Sequence, residues 1–414
     1  MKQHRTRAIL VALALAVPLL TAPTASAEPA TAAEQRVSAR DVRPSGHRPP
    51  ARAKAPVRVM SRNIYLGVDI FRPLRAAQEA IDAGKPLLEI LDAVAHENDV
   101  ARAIVDETDF HTRAQLLADE IAQRRPDLVG LQEVALWRSG PMEVALLGKP
   151  NATHVDYDFL AILMRALRQR GLDYRKVVVG TRADVEAPAY DPARTRVRDV
   201  RLTMHDVILR RAGAVRVTRT HDKIFTRNLP VNLAGIAMNF DRGYQWADVR
   251  MGRRHFRFIN THLESATSDL ALAQAKELSR RAAPAKKTVV MVCDCNSDPL
   301  DSSVKPDDTV AHKAPYEFLT QKAGFTDQWL RWAPAEQGWT AGLSEMVDDA
   351  TPEGFDHRID LVLARVPQGR PLSSTRGWIT GNEVDDRDPE TGLWPSDHAG
   401  VVLRLNRFPI TPRR

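Results

Sequence analysis

The sequence predicts a layered α/β sandwich, and three observations carry that prediction. Short apolar or alternating runs recur through most of the 414 residues, and only a few segments with helical spacing separate them. The strand-like runs outnumber the helical ones. No internal repeat is visible, so the runs belong to one sheet-rich body rather than to a solenoid.

The body opens with PVRVMSRNIYLG (56–67), where Val57, Val59 and Ser61 alternate with Arg58, Met60 and Arg62 at strand spacing. Residues 71–110 read as helical: Leu74, Ala77 and Ile81 share a face, Gly84 stops it, and Pro86 suits a restart. HTRAQLLADEIAQRR (111–125) predicts a helix capped by Thr112, with Leu116, Leu117 and Ile121 inward, and Pro126 ends it. DLVGLQEV (127–134) is a buried strand. A helix at 159–171 and a strand at 174–180 follow, then strands at 205–211, 214–220 and 255–263. A helix over roughly 268–282 precedes the strand KTVVMVC (287–293). A short helix at 315–325 and strands at 359–366 and 399–406 complete the pattern. Loops are expected at 184–199, 298–313 and 344–358, which are polar and rich in Pro and Asp.

Ahead of this body, Lys2, Arg5 and Arg7 precede an apolar stretch at 8–20, and ASA at 25–27 supplies small residues for cleavage. That is a secretory signal; the apolar stretch is shorter than the roughly 20 residues that span a bilayer. Residues 28–54, rich in Pro, Ala and Arg, read as a disordered linker. The organisation expected is a signal peptide (1–27), the linker (28–54), a catalytic domain (55–408) with a helical insertion at 70–110, and a tail (409–414). The net charge of +7 divides unevenly: the leader carries +3 and the linker +3, which leaves the body near +1. A near-neutral body weakens the nucleic-acid reading that the overall basicity suggests. Two cysteines make no disulfide framework.

A regularity marks the chemistry. Apolar strands run into a specific polar residue at one end: Asn63, Glu133, His262, Asp294 with Asn296, and Asp397 with His398. Hard oxygen ligands with no histidine cluster favour Mg²⁺, Mn²⁺ or Ca²⁺ over zinc. Two histidines add hydrogen-bond donors for an anionic transition state, and an aspartate beside them can take a proton from water. That set, without a covalent nucleophile, describes metal-assisted hydrolysis of a phosphate ester. Competing hydrolases lack their motifs: there is no G-x-S-x-G, and HENDV at 96–100 has Val100 where a zinc H-E-x-x-H needs histidine.

SRNIYLG, RPDLVGLQEV, INTHLE, CDCNSDP, RIDLVL and PSDHAGVV occur in the order and spacing of the endonuclease/exonuclease/phosphatase (DNase I-like) superfamily. The chain resembles that family from about residue 56 to 405, most closely its secreted bacterial members. The resemblance implies a four-layer αββα sandwich of two packed, mostly antiparallel β-sheets with outer helices. It implies a secreted, metal-dependent phosphoesterase using Mg²⁺, or Mn²⁺ or Ca²⁺. Glu133 would bind the cation, with Asn63 and Asp397 contributing to the metal region. His262 and Asn296 would bind the phosphate, Asp294 would orient or deprotonate the attacking water, and His398 would donate to the scissile phosphate. Asp360 would hold the His398 ring. The partner expected is a phosphoester, with nucleic acid and phospholipid head groups as candidate sources; no obligate protein partner is evident and a monomer is expected. A nuclease, a sphingomyelinase-type enzyme and a silent binding protein on the same scaffold remain as alternatives.

Where the family usually reads Gly-Asp-Phe-Asn, this chain reads Cys293-Asp294-Cys295-Asn296. Strand alternation puts the two cysteines on the face opposite Asp294 and Asn296. Two extended residues span roughly 6.6 Å, near the upper limit for bridged Cα atoms, so two packed free thiols are expected.

Overall fold

Alternation along the strands sorts the apolar residues into three packed layers, and the layers define the architecture. The computed structural model describes residues 56–409 except 147, 148, 192, 194, 234, 235 and 368–370; the signal, the linker and the tail beyond 409 lie outside the described residues. In chain order the strands are β1 (Val57–Asn63), β2 (Leu128–Pro141), β3 (His154–Asp158), β4 (Tyr174–Tyr190), β5 (Val197–Arg211), β6 (Arg216–Ile224), β7 (Leu229–Leu233) and β8 (Ile236–Phe240). They continue with β9 (Gly243–Met251), β10 (Arg254–His262), β11 (Val289–Asp294), β12 (Thr326–Asp327), β13 (Asp360–Arg365), β14 (Ser373–Thr380) and β15 (Gly400–Asn406). The helices are α1 (Arg72–Asp82), α2 (Leu87–Glu107), α3 (Phe110–Arg124), α4 (Phe159–Gln169), α5 (Ser268–Arg281) and α6 (Ala314–Glu317).

One sheet runs β14-β15-β1-β2-β5-β4-β8-β7, with β3 on β2; the other runs β12-β13-β11-β10-β9-β6. Odd-numbered Val57 and Val59 of β1 and even-numbered Val290 and Val292 of β11 fill the space between the sheets, together with Phe258 and Leu403. Met60 and Val129 face the other way, onto α3 and α4. Val289, Met291 and Cys293 pack against α5. Helices, sheet, sheet, helices: the four-layer expectation holds.

Two strand pairs are parallel, and they position the site. β1 returns to β2 through α1–α3, and β10 returns to β11 through α5. A parallel crossover aligns the C-terminal ends of both strands at one sheet edge. Asn63 therefore stands beside Gln132, and His262 beside Asp294. The antiparallel neighbour β13 begins at that edge, with Asp360 opposite Asp294.

The elements differ from the sequence expectation in several places. The cap of α3 is Asp109, which accepts from the His111 amide, while Thr112 donates to it from inside the helix. The loop expected at 184–199 is mostly strand: β4 and β5 extend as a long two-stranded arm whose exposed faces tolerate polar residues, as in the 2.6 Å Arg201–Asp184 pair. β2 does not stop at 134. A bulge between Leu131 and Val134 interrupts its pairing with β5, and the strand then resumes. β3, β7, β8, β9, β12 and β14 had no predicted counterpart.

The cysteines overturn the expectation of free thiols. Cys293 and Cys295 form a disulfide with Cα atoms 5.1 Å apart. The strand ends at Asp294 and the chain turns, with Asn296 at φ 42°, so the extended spacing does not apply. Both sulfurs do face the α5 layer, away from Asp294.

The two sheets approach closely at Gly130, where an added Cβ would lie 2.4 Å from Val292 and 2.5 Å from Asn260. Gly130→Ala is expected to lower unfolding stability by about 1–3 kcal/mol, the cost of overpacking, measured by urea denaturation; an unchanged midpoint would refute the close approach. In denaturant without reductant no thiol should titrate, and two should appear after reduction; two thiols before reduction would rule out the bridge.

Candidate active site

At the shared edge the side chains converge in steps that begin with the backbone. In β2 the bulge sets Gln132 and Glu133 against a single residue of β5, and Glu133 takes a left-handed φ of 58°. That turn re-aims the Glu133 carboxylate toward the cleft, where it accepts from the Leu66 amide at 3.1 Å. Tyr65 and Asn296 also have left-handed φ, so three unusual backbone positions cluster here.

Asn63, at the end of β1, donates to Asp294 Oδ2 at 3.0 Å and accepts from the Tyr65 amide at 2.9 Å. Asp294 Oδ1 accepts from the Asn296 amide at 3.1 Å. The Asn296 side chain donates to the Leu263 carbonyl at 3.0 Å, which fixes the turn after β11. His262 Nε2 lies 3.2 Å from Asp294 Oδ2, and His398 Nε2 lies 3.9 Å from the same oxygen. His398 Nδ1 meets Asp360 Oδ2 at 2.7 Å. Asp397 lines the same cleft as Glu133. All eight residues singled out in the sequence thus lie at one sheet edge.

The electrostatics follow from burial and from the partner of each group. Burial would suppress the charge on His398, but Asp360, Asp397 and Asp294 outweigh it and hold the imidazole well above its usual range. His262 goes the other way: burial and then the Arg242 guanidinium hold it well below. Arg242 Nη1 lies 2.9 Å from His262 Nδ1 and 3.1 Å from its Nε2. Nε2 also faces Asp294 Oδ2, and an ionised carboxylate only accepts, so the proton is assigned to Nε2. Burial pushes the Asp294 carboxyl up to about 6, with Asp360 adding and His398 opposing. Burial likewise pushes Asp397 to about 6, with His398 opposing and Glu133 adding.

Several residues that hold the site were not picked out from the sequence. Arg242 follows β8 in an ordinary Asp-Arg-Gly turn that carries no motif. Arg62 Nη1 donates to the His398 carbonyl, and its Nη2 forms a buried 2.7 Å pair with Glu120 of α3. Ser396 ties the two chain segments together, donating to the Asn63 carbonyl at 2.9 Å and accepting from the His398 amide at 3.2 Å. The Thr340 hydroxyl accepts from the Ile359 and Asp360 amides, which sets the start of β13. Asp206 lies outside the constellation, in a fully buried 2.7 Å pair with Arg182. Asp298 serves the turn, accepting from the Leu300 and Arg358 amides.

Ligand atoms of Glu133, His262 and Asp294 all lie within 4.8 Å of one another, as do those of Asp294, Asp360 and His398. Oxygen donors at that spacing suit a hard divalent cation. Burial makes the ionised forms of both carboxyls costly, pushing them to about 6, and a cation would offset that cost.

The sequence matches the Endonuclease/Exonuclease/phosphatase family over residues 101–398. No curated protein matches it. Similar solved structures include TDP2 of D. rerio complexed with single strand DNA product, 14% identical, covering 85% of this chain and 99% of that one, with a TM-score of 0.46. The mannosyl-6-phosphatase of Bacteroides thetaiotaomicron is 14% identical, covering 85% and 100%, at 0.48. A family protein from Leptotrichia buccalis is 12% identical, covering 85% and 100%, at 0.48. Likeness of that size carries no argument about substrate. The match across most of the chain does decide the family: this protein belongs to the Endonuclease/Exonuclease/phosphatase family, whose members hydrolyse phosphoesters.

Proposed function

We propose that the chain is an exported, divalent-metal-dependent phosphoesterase that uses water as nucleophile. The observation that carries this reading is Asp294, held by Asn63 and flanked by two histidines, within reach of the Glu133 carboxylate. Glu133 would hold the cation, with Asn63 and Asp397 beside it; when bound, it supplies positive charge for the phosphoryl oxygens. Mg²⁺ or Mn²⁺ suits the oxygen donors.

The protein's own groups then have distinct tasks. Asp294 takes the proton of the attacking water; with its carboxyl near 6 it is both ionised at neutral pH and basic enough to accept. His398, cationic through Asp360, donates from Nε2 to a phosphoryl oxygen as negative charge develops. His262 and Asn296 hold the phosphate from the other side. Export is supported by the leader at 1–27 and domain limits of 55–408 by the strand pattern, both readings from the sequence.

Hydrolysis of bis(p-nitrophenyl) phosphate is expected with Mg²⁺ or Mn²⁺, to stop with EDTA and to return on adding metal. His398→Ala should lower kcat by about 10²–10³-fold, the loss for one such donor; turnover insensitive to EDTA, or a fully active variant, would sink the proposal. In Asp360→Asn the largest upward influence on His398 is gone and burial prevails, so its pKa falls. The alkaline limb of the kcat/KM profile should then move to lower pH, and an unmoved limb would show that His398 does not act as the cation.

A further inference from the structure

We propose that the active-site cleft selects a small phosphoester whose non-phosphate part is uncharged and largely apolar, and that it turns nucleic-acid strands away. The inference rests on the proposed phosphoesterase function and names its substrate class.

Three features of the cleft lead there. The first is its wall. Beside Glu133 and Asp397 the cleft is lined by Leu66, Val68, Ile70, Phe71, Met204 and Leu343. A group leaving the phosphate on that side meets apolar surface, where an alkyl or aryl ester gains by burial and a sugar-phosphate backbone does not.

The second is charge. Asp69 and Glu345 line the cleft along with Glu133 and Asp397, and Arg242 is the one cation lining it among the described residues. Arg242 is itself engaged with His262. The nearby rim arginines are spent on rim carboxylates: Arg72 meets Glu345 at 2.6 Å and Arg75 meets Asp69 at 2.7 Å. A strand-binding groove needs a run of available cations that tracks the phosphates, with aromatic platforms for the bases. The cleft offers no such run of cations among the described residues.

The third is size. The cleft measures ≈ 250 Å³, at or below the lower end of small-molecule pockets, roughly 300–1,000 Å³. Its two rims are tied together. Segment 65–71 on one side and segment 343–345 on the other both line it, and Glu345 joins them. The Glu345 carboxylate accepts from Arg72 Nε and from the Asp69 amide, each at 2.9 Å, and its carbonyl accepts from the Tyr65 hydroxyl at 2.8 Å. Arg72 is the first residue of α1, so the helical insertion reaches the cleft through its first turn. The rest of that insertion packs on the β4–β5 arm, where Asn98 donates to the Pro188 carbonyl. The rim strap is thus a specificity device, with Arg72 and Glu345 its working parts.

The test compares kcat/KM on bis(p-nitrophenyl) phosphate with kcat/KM per linkage on oligothymidylate, for the full chain with Mg²⁺ or Mn²⁺. The wild type should favour the aryl ester by at least a hundredfold, and Arg72→Ala should narrow that ratio at least tenfold. Glu345→Gln provides the same cut at the other partner, with a thermal melt to establish that each variant is folded. A smaller wild-type ratio, or a ratio unmoved in both folded variants, overturns the inference while leaving the phosphoesterase assignment standing. If no ester is turned over, the proposed function fails by itself and the inference is read from binding. It then expects phenyl phosphate to raise the melting temperature and labelled oligothymidylate to give no anisotropy change; the reverse pattern overturns it.

Discussion

The structure depends on one side chain that crosses from one sheet to the other, the Asn260 amide. It sits on the inner face of β10, fully buried, opposite the bulge in β2. A bulge leaves backbone groups without ladder partners, and a buried carbonyl without a donor is costly. Asn260 Nδ2 donates to the Leu131 and Val207 carbonyls, at 2.9 and 3.2 Å, and its Oδ1 accepts from Gln132 at 2.7 Å. The bulge that aims Glu133 is therefore satisfied by the opposite sheet. Gly130 makes this possible, since any side chain there would occupy the space of the amide. The cleft-facing Glu133 carboxylate on one sheet and the His262–Asp294 pair on the other are held in register by this polar seam between the sheets.

A second buried pair fixes the remaining corner. Arg62 and Glu120 are almost wholly enclosed, and each has further partners: the His398 carbonyl for Arg62 and the Thr380 hydroxyl for Glu120. Such a pair contributes little net stability against an apolar alternative, yet removing one partner leaves a stranded charge. Its value here is positional. It joins β1, α3 and the turn before β15 at the point where His398 enters the site.

The sequence revealed the site better than the fold around it. Asn63, His262, Asp294, Asn296, Asp360, Asp397 and His398 were legible because each lies at or next to the end of an apolar strand, and Glu133 because it follows the apolar run 128–131, although β2 continues past it. The bulge at 132–133 was not legible, because it depends on Asn260 and Gly130, which are distant in sequence. β9 carries Tyr244 and Trp246 toward α5 and Ala247 and Val249 toward the other sheet; buried on both faces, it shows no clean alternation. The β4–β5 arm looked like loop because exposed strands carry polar residues. The disulfide was misjudged by a strand-spacing argument applied one residue past the strand's end. Arg242 left no signal, since one arginine in a turn says nothing about which ring it will meet.

Arg242 matters because it makes the two histidines unlike. Both flank Asp294, and both are buried, which alone would leave each neutral. His398 has Asp360 on its far nitrogen and becomes a cation; His262 has the Arg242 guanidinium against its ring and stays neutral. Both nonetheless present an N–H toward the centre, one charged and one not. Two cations beside Asp294 would press its carboxyl well down and weaken it as a base. Two neutral rings would leave the developing phosphoryl charge without a cationic donor. With one of each, the carboxyl stays near 6 while the proposed mechanism keeps a charged donor for the phosphate, so the residue beside each ring sets the balance of the site in front of it.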